Sequence, residues 1–258
     1  MTNIKNKTVF ITGASSGIGR STAIKFAELG ANILICARRK ERLDELAKEI
    51  AARYNVHVFA FRLDVRHQQG VEHTLKTLPA EWKKISILVN NAGLSRGLNT
   101  IQEGSIEDWD EMIDTNVKGL LYVTRAVLPG MIERNEGHII NLGSVAGRWV
   151  YPKGNVYNAS KFAVRALTEG MKMDVLGTPI RVTTVDPGLV ETEFSIVRFH
   201  GDAERASQVY KGLTPLSPDD IADAIVWAAT RPAHVNINEI VLMPVDQASP
   251  TLVNRKSN

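Results

Sequence analysis

Cysteine is nearly absent from this 258-residue chain, where Cys36 stands alone. One thiol excludes an intrachain disulfide framework and fits a thiol-tolerant compartment, so the sequence predicts a cytoplasmic protein. Long apolar runs are missing as well. No segment approaches the roughly eighteen uninterrupted apolar residues of a membrane helix. The stretch before Gly13 offers only Val9-Phe10-Ile11, too short for a signal-peptide core. Neither sign of charge dominates: 31 Lys and Arg against 28 Asp and Glu leave a net charge of +3. No Lys/Arg block is present, so no nucleic-acid partner is expected. The six histidines show no ligand spacing with acids, and no metal is expected. Low-complexity linkers and internal repeats are also lacking.

What the chain does have is a regular alternation. Hydrophobic content of 44% and charged content of 23% are ordinary for a globular domain, and the length suits one large core. Short β-branched runs predict strands at Thr8–Thr12, Asn32–Ala37, His57–Leu63, Ile85–Asn90, His138–Leu142, Arg181–Val185 and Glu239–Met243. Amphipathic stretches between them predict helices at Ser16–Leu29, Glu41–Tyr54, Val71–Leu78, Ser105–Arg134 with a possible break, Val156–Leu176 and Pro218–Thr230. Gly30 and Gly177 stand where left-handed caps would close two of these helices. Strands alternating with helices predict an α/β fold: a doubly wound, seven-stranded parallel sheet with helices on both faces. The weakly periodic stretch from 190 to 216 reads as a substrate lid within a single domain spanning 1–258.

The first strand runs into Thr12-Gly13-Ala14-Ser15-Ser16-Gly17-Ile18-Gly19. Such glycines permit a tight turn, close approach of a pyrophosphate and packing of the next helix on the sheet. The helix start supplies free N–H groups to phosphate oxygens, and Ser15 and Ser16 add hydroxyls. At the end of the second strand, Ala37-Arg38-Arg39-Lys40 carries no carboxylate for a ribose 2′-hydroxyl. Guanidinium forks at Arg38 and Arg39 suit a 2′-phosphate instead, which favours NADP over NAD. Asp64 and Val65 end the third strand near where an adenine would lie. Asn90-Asn91-Ala92-Gly93 ends the fourth at the ligand-binding edge of the sheet, although Asn also serves plain turn chemistry.

Tyr157 and Lys161 are four apart and share one helical face. A neighbouring cation lowers a phenol's pKa, and a shift from about 10 to about 7 takes about 4 kcal/mol. So tuned, Tyr157 would suit proton transfer to or from an alcohol oxygen. Ser144 stands upstream in a Gly-Ser-Val stretch.

In this order the motifs resemble the short-chain dehydrogenase/reductase superfamily along essentially the whole chain. The matching residues are the glycine motif at 13–19, Asn90 to Gly93, Asn116, Ser144, Tyr157 with Lys161, and Asp186-Pro187-Gly188 with Thr192. The stretch Met112–Arg125, the run Gly154–Tyr157, the run Thr192–Phe199 and Pro232–Asn238 are similar to the NADP-dependent 3-hydroxy acid dehydrogenases acting on serine and allo-threonine. Sulfoacetaldehyde reductases are similar too. The resemblance implies a Rossmann-like fold, Tyr157 as acid/base and Lys161 as its tuner and ribose ligand. It also implies that Ser144 bonds the substrate oxygen and that Asn116 holds a water in a proton relay. Gly13, Ser15, Ser16, Gly17, Ile18, Gly19, Asn91, Ala92 and Gly93 would border the dinucleotide. Pro187, Gly188, Val190 and Thr192 would lie against its nicotinamide end. A homotetramer is implied as well.

A small anionic hydroxy or oxo substrate needs a cationic anchor. Arg148 follows Ser144 by four residues, Lys153 precedes Tyr157 by four, and Arg198 lies in the lid stretch. Arg148 is the first choice, and with Lys153 it makes this loop more basic than the serine-acting relatives lead one to expect. Phe194 offers an apolar wall. Two other readings stay open at this stage: a reductase of neutral ketones or sugars, and a non-catalytic NADP(H)-binding sensor.

Overall fold

The structure, a computed structural model, describes residues 2–256. Seven parallel strands form one sheet: β1 (Thr8–Thr12), β2 (Asn32–Ala37), β3 (Val58–Arg62), β4 (Ile85–Asn90), β5 (His138–Leu142), β6 (Arg181–Pro187) and β7 (Glu239–Leu242). Their order is β3-β2-β1-β4-β5-β6-β7. The chain winds outward from β1 through β2 to β3, then crosses to the other side of β1 and continues through β4. The carboxyl ends of β1 and β4 therefore flank a switch point, where open α/β sheets bind ligands.

Helices cover both faces, so β1, β5 and β6 are buried along their whole length. Alternate side chains of one strand serve opposite layers. Val9 and Ile11 pack with α1 (Gly17–Glu28), α2 (Lys40–Arg53) and α9 (Pro218–Ala229). Phe10 points the other way, towards α3 (Gln68–Thr77), α5 (Leu120–Arg134) and α6 (Asn155–Asp174). Each such Ile or Phe contributes about 1.5–3 kcal/mol when fully buried. Gly30 and Gly177 adopt the left-handed conformation expected of caps, at φ 78° and 88°.

The expected long helix at 105–134 is divided. α4 (Ile106–Ile113), capped by Ser105 on the Asp108 amide, passes through a π-helical turn at Asp114–Gly119 into α5. The lid stretch is more ordered than its weak periodicity implies and contains α7 (Phe194–Arg198) and α8 (Ala203–Gln208). Its ends are pinned together, because Val190 and Leu216 form an isolated parallel bridge. Other boundaries differ from expectation by a few residues at fraying ends.

Among the described residues no helix is long and apolar enough to cross a membrane, and no group of three or more His, Cys, Asp or Glu could hold a metal ion.

Candidate active site

The carboxyl edge of the sheet opens into a cleft of about 610 Å³. One wall is the turn between β1 and α1. Gly13 has φ 67°, and a Cβ there would meet the Ala92 Cα at 2.9 Å, so only glycine lets the turn sit so close to β4. Gly19 lies behind the turn, where a Cβ would strike the Asn91 amide at 2.4 Å. That amide donates to the carbonyls of Thr12 (2.8 Å) and Gly13 (3.1 Å). Asn91 is thus a clamp on the glycine turn, and its sequence signal as a mere turn residue understates it.

At the end of β2, Arg39 lies across Ser15 and Ser16, donating to their hydroxyls at 2.8–3.2 Å. Arg38 pairs with Glu111 at 3.1 Å. Asp64 is grasped by Arg66, with Nε and Nη2 at 2.9 and 2.6 Å from its two oxygens. Against the upward push of burial, Arg66 holds the Asp64 carboxyl below its ordinary range.

The far wall carries the acid/base candidates. Tyr157 and Lys161 sit one turn apart on α6 and are both buried. Lys161 Nζ donates to the Leu142 carbonyl at 2.8 Å and stands 6.0 Å from the Tyr157 ring centre. Ser144 follows β5, accepting from the Ala146 amide at 3.1 Å. The next turn packs directly on α6, since a Cβ at Gly147 would meet the Lys161 carbonyl oxygen at 2.6 Å. A buried polar ladder fixes α5 and α6 against the sheet. Asn90 donates to Thr124 and Asn141, and Asn141 donates to Thr168, each at 2.9 Å.

Burial corrects the expected sense of the tyrosine's shift. Desolvation pushes the Tyr157 phenol up, Tyr151 adds to this, and Arg198 with the Ser144 hydroxyl pulls it back. Desolvation also lowers Lys161 to about 8, opposed by Asp186. Of the two groups, Lys161 therefore loses its proton first, ahead of the buried phenol. Lys161→Met is therefore expected to move any alkaline rise in turnover from around pH 8 to above pH 10, read from rate profiles. A rise that stays in place would show that Lys161 does not set it.

Asn116 does not line the cleft. It lies in the π-helical turn, with its amide donating to the Leu94 carbonyl (2.8 Å) and Ser160 Oγ (3.0 Å), and its oxygen accepting from the Leu94 amide (2.8 Å). π-turns recur at functional sites. A Cβ at Gly93 would approach Asn116 Oδ1 at 3.2 Å and Lys161 Nζ at 3.6 Å, which places the three together.

Arg148 must be withdrawn as the acid-group anchor. Its Nε is 2.8 Å from Asp186, its Nη2 bonds Glu239, and it is absent from the cleft wall. Two strands distant in sequence, β6 and β7, supply those carboxylates, so no local pattern revealed them. Arg148→Ala is expected to cost about 3 kcal/mol in denaturant unfolding, because Asp186 would be left buried and unpaired. Its KM for an acid substrate should hardly change. Lys153 lies outside the cleft, on a smaller depression beside Asn155 and Phe162.

Arg198, the other cation expected near the substrate, does line the cleft. Its guanidinium lies 5.2 Å from the centres of both the Tyr157 and Phe194 rings. Nε donates to Ser95 (3.0 Å) and Nη2 to the Tyr151 hydroxyl (2.8 Å), while Nη1 makes no hydrogen bond among the described residues. Ser95 carries no motif that would have marked it. The remaining expected residues of the wall, Pro187, Gly188, Val190 and Thr192, line the cleft together with Ile18, Val65 and Ala92.

The family model for short chain dehydrogenases matches residues 7–202. The chain belongs to the short-chain dehydrogenase family. An NADP-dependent 3-hydroxy acid dehydrogenase of Salmonella typhi is 51% identical over 241 residues, covering 93% of this short-chain dehydrogenase and 96% of the relative. Sulfoacetaldehyde reductase 2 of Chromohalobacter salexigens is 47% identical, covering 93% and 95%. A closed form of serine dehydrogenase complexed with NADP+ superposes with a TM-score of 0.91 at 48% identity, covering 97% of this chain and 100% of that one.

Proposed function

We propose that this short-chain dehydrogenase interconverts a short-chain hydroxy acid, either a 3-hydroxy acid or a hydroxyalkanesulfonate, and its carbonyl counterpart, using NADP(H). The observation carrying the acid specificity is the Arg198 guanidinium over the Tyr157 ring, whose Nη1 makes no hydrogen bond among the described residues. The relatives named above act on such acids, which supports the same choice.

The residues present fit the dinucleotide. A Cβ would fill the cradle at Gly13, no carboxylate ends β2, and Arg39 lies against Ser15 and Ser16. The turn from Gly13 to Gly19 would hold the pyrophosphate, Arg38 and Arg39 the 2′-phosphate, Asp64 and Val65 the adenine, and Asn91 to Gly93 the adjoining ribose. Tyr157 and Lys161 would hold the second ribose, with Pro187, Gly188, Val190 and Thr192 against the carboxamide. When bound, NADP(H) supplies the hydride chemistry.

The chain's own side chains do the rest. Tyr157, kept protonated by burial, gives its proton to the carbonyl oxygen in reduction and regains one in oxidation. The Ser144 hydroxyl bonds that same oxygen and orients it. Lys161 restores the phenol's proton, and the π-turn at Asn116 holds a water behind Lys161 that leads to solvent. Arg198, held by Ser95 and Tyr151, offers Nη1 to the acid group in a charge-assisted hydrogen bond suited to carboxylate or sulfonate. The stretch 190–216 serves as lid, as its wall from Val190 to Tyr210 supports.

A spectrophotometric screen of NADP+ reduction tests the reading, using serine, 3-hydroxypropionate, 3-hydroxybutyrate and isethionate against neutral alcohols. Turnover of neutral alcohols alone would favour a ketone or sugar reductase. No turnover with bound NADP(H) would favour a sensor. We also propose a cytoplasmic homotetramer, supported by the buried lone thiol of Cys36 and by Phe162 and Met173 exposed on α6 (39% and 72%). Light scattering reads the assembly directly.

A further inference from the structure

Glu193 stands where α7 begins. One carboxylate oxygen accepts from Arg39 Nη1 at 2.8 Å, and the other from Arg42 Nη1 at 2.6 Å. Arg42 lies three residues beyond Arg39 in the first turn of α2, so both guanidinium groups reach the same anion. The remaining forks of Arg39 are engaged by Ser15 and Ser16. Against the upward push of burial, the two arginines hold the Glu193 carboxyl below its ordinary range, so it is an anion at neutral pH. The guanidinium beside the glycine turn is therefore tied to the segment that carries Phe194 and Arg198 over Tyr157. Carboxylates and phosphate monoesters seek the same planar fork.

We propose that Glu193 is an intramolecular competitor of the cofactor's 2′-phosphate for Arg39 and Arg42, and thereby sets how strongly the enzyme prefers NADP over NAD. The inference rests on the reading that Arg39 faces that phosphate. Its sign follows from linkage. A ligand that must displace an internal counter-ion binds more weakly than it would to free arginines, whereas a ligand without the phosphate meets no such competition. Glu193 then holds NADP(H) affinity at a level that permits exchange between turnovers. Displacing it also loosens the first turn of α7, so phosphate binding and substrate binding are coupled, and the coupling is reciprocal.

Calorimetric titration with adenosine 2′,5′-bisphosphate and adenosine 5′-monophosphate tests the idea without any reaction. Glu193→Gln should bind the bisphosphate about three- to tenfold more tightly, a modest gain because both ion pairs are partly exposed, and the monophosphate unchanged. If the carboxylate merely positions Arg39, the same change weakens the bisphosphate, and that result, or no change, overturns the proposal. Glu193→Ala should agree in sign. Arg39→Ala separates the two layers of the argument. It should weaken the bisphosphate more than about tenfold. An unchanged value would instead remove the 2′-phosphate reading itself.

Discussion

Tyr157→Phe is expected to lower turnover at least about a thousand-fold while cofactor binding stays near normal. The ring remains, so its packing on Phe194 at 5.6 Å and under Arg198 survives. Only the oxygen that carries the proton is lost. Burial keeps that oxygen protonated at neutral pH, which makes it ready to act as the acid in reduction. No other described side chain is poised to replace it: Ser144 is a weak acid, and Lys161 is turned to the Leu142 carbonyl. Steady-state rates with calorimetry of NADP+ binding check the prediction. Turnover within tenfold of the parent would mean that another group moves the proton.

Arg198→Ala is expected to raise KM for a short hydroxy acid about a hundredfold and to spare a neutral carbonyl of similar size. Truncating one partner of a hydrogen-bonded charge pair costs about 2–5 kcal/mol when the other charge stays desolvated, and the cleft around Arg198 is walled by Tyr151, Tyr157 and Phe194. A smaller fall in kcat should accompany it, because Arg198 also draws the Tyr157 phenol down. Arg198→Lys should recover only part of the loss, since an ammonium lacks the fork. Equal effects on acid and neutral substrates would place the acid group elsewhere.

These residues differ in how far the sequence disclosed them. The glycine turn was legible because its chemistry is local: spacing within one strand-turn-helix unit determines it. Tyr157 and Lys161 were legible for the same reason, as neighbours on one helix face. What spacing could not convey was the environment each enters. Adjacency suggested a phenol made acidic by an ammonium, but desolvation depends on Leu94, Met112 and Phe194 closing over the ring from other elements. Arg148 looked like a free cation near Ser144 until β6 and β7 supplied Asp186 and Glu239. The Asn116 side chain in the π-turn is held by Leu94 and Ser160, neither of which a helical pattern can announce. Glu193 and Arg42 escaped notice because each is an ordinary surface charge until the fold brings α2 and α7 together.

The most direct measurement of the central claim follows NADP+ reduction by a short 3-hydroxy acid and by isethionate, with parent and Tyr157→Phe proteins side by side. The account predicts steady NADPH formation by the parent with at least one of these acids and none above background with the variant. A parent protein that reduces NADP+ with no hydroxy acid, or a variant that matches the parent, would contradict it.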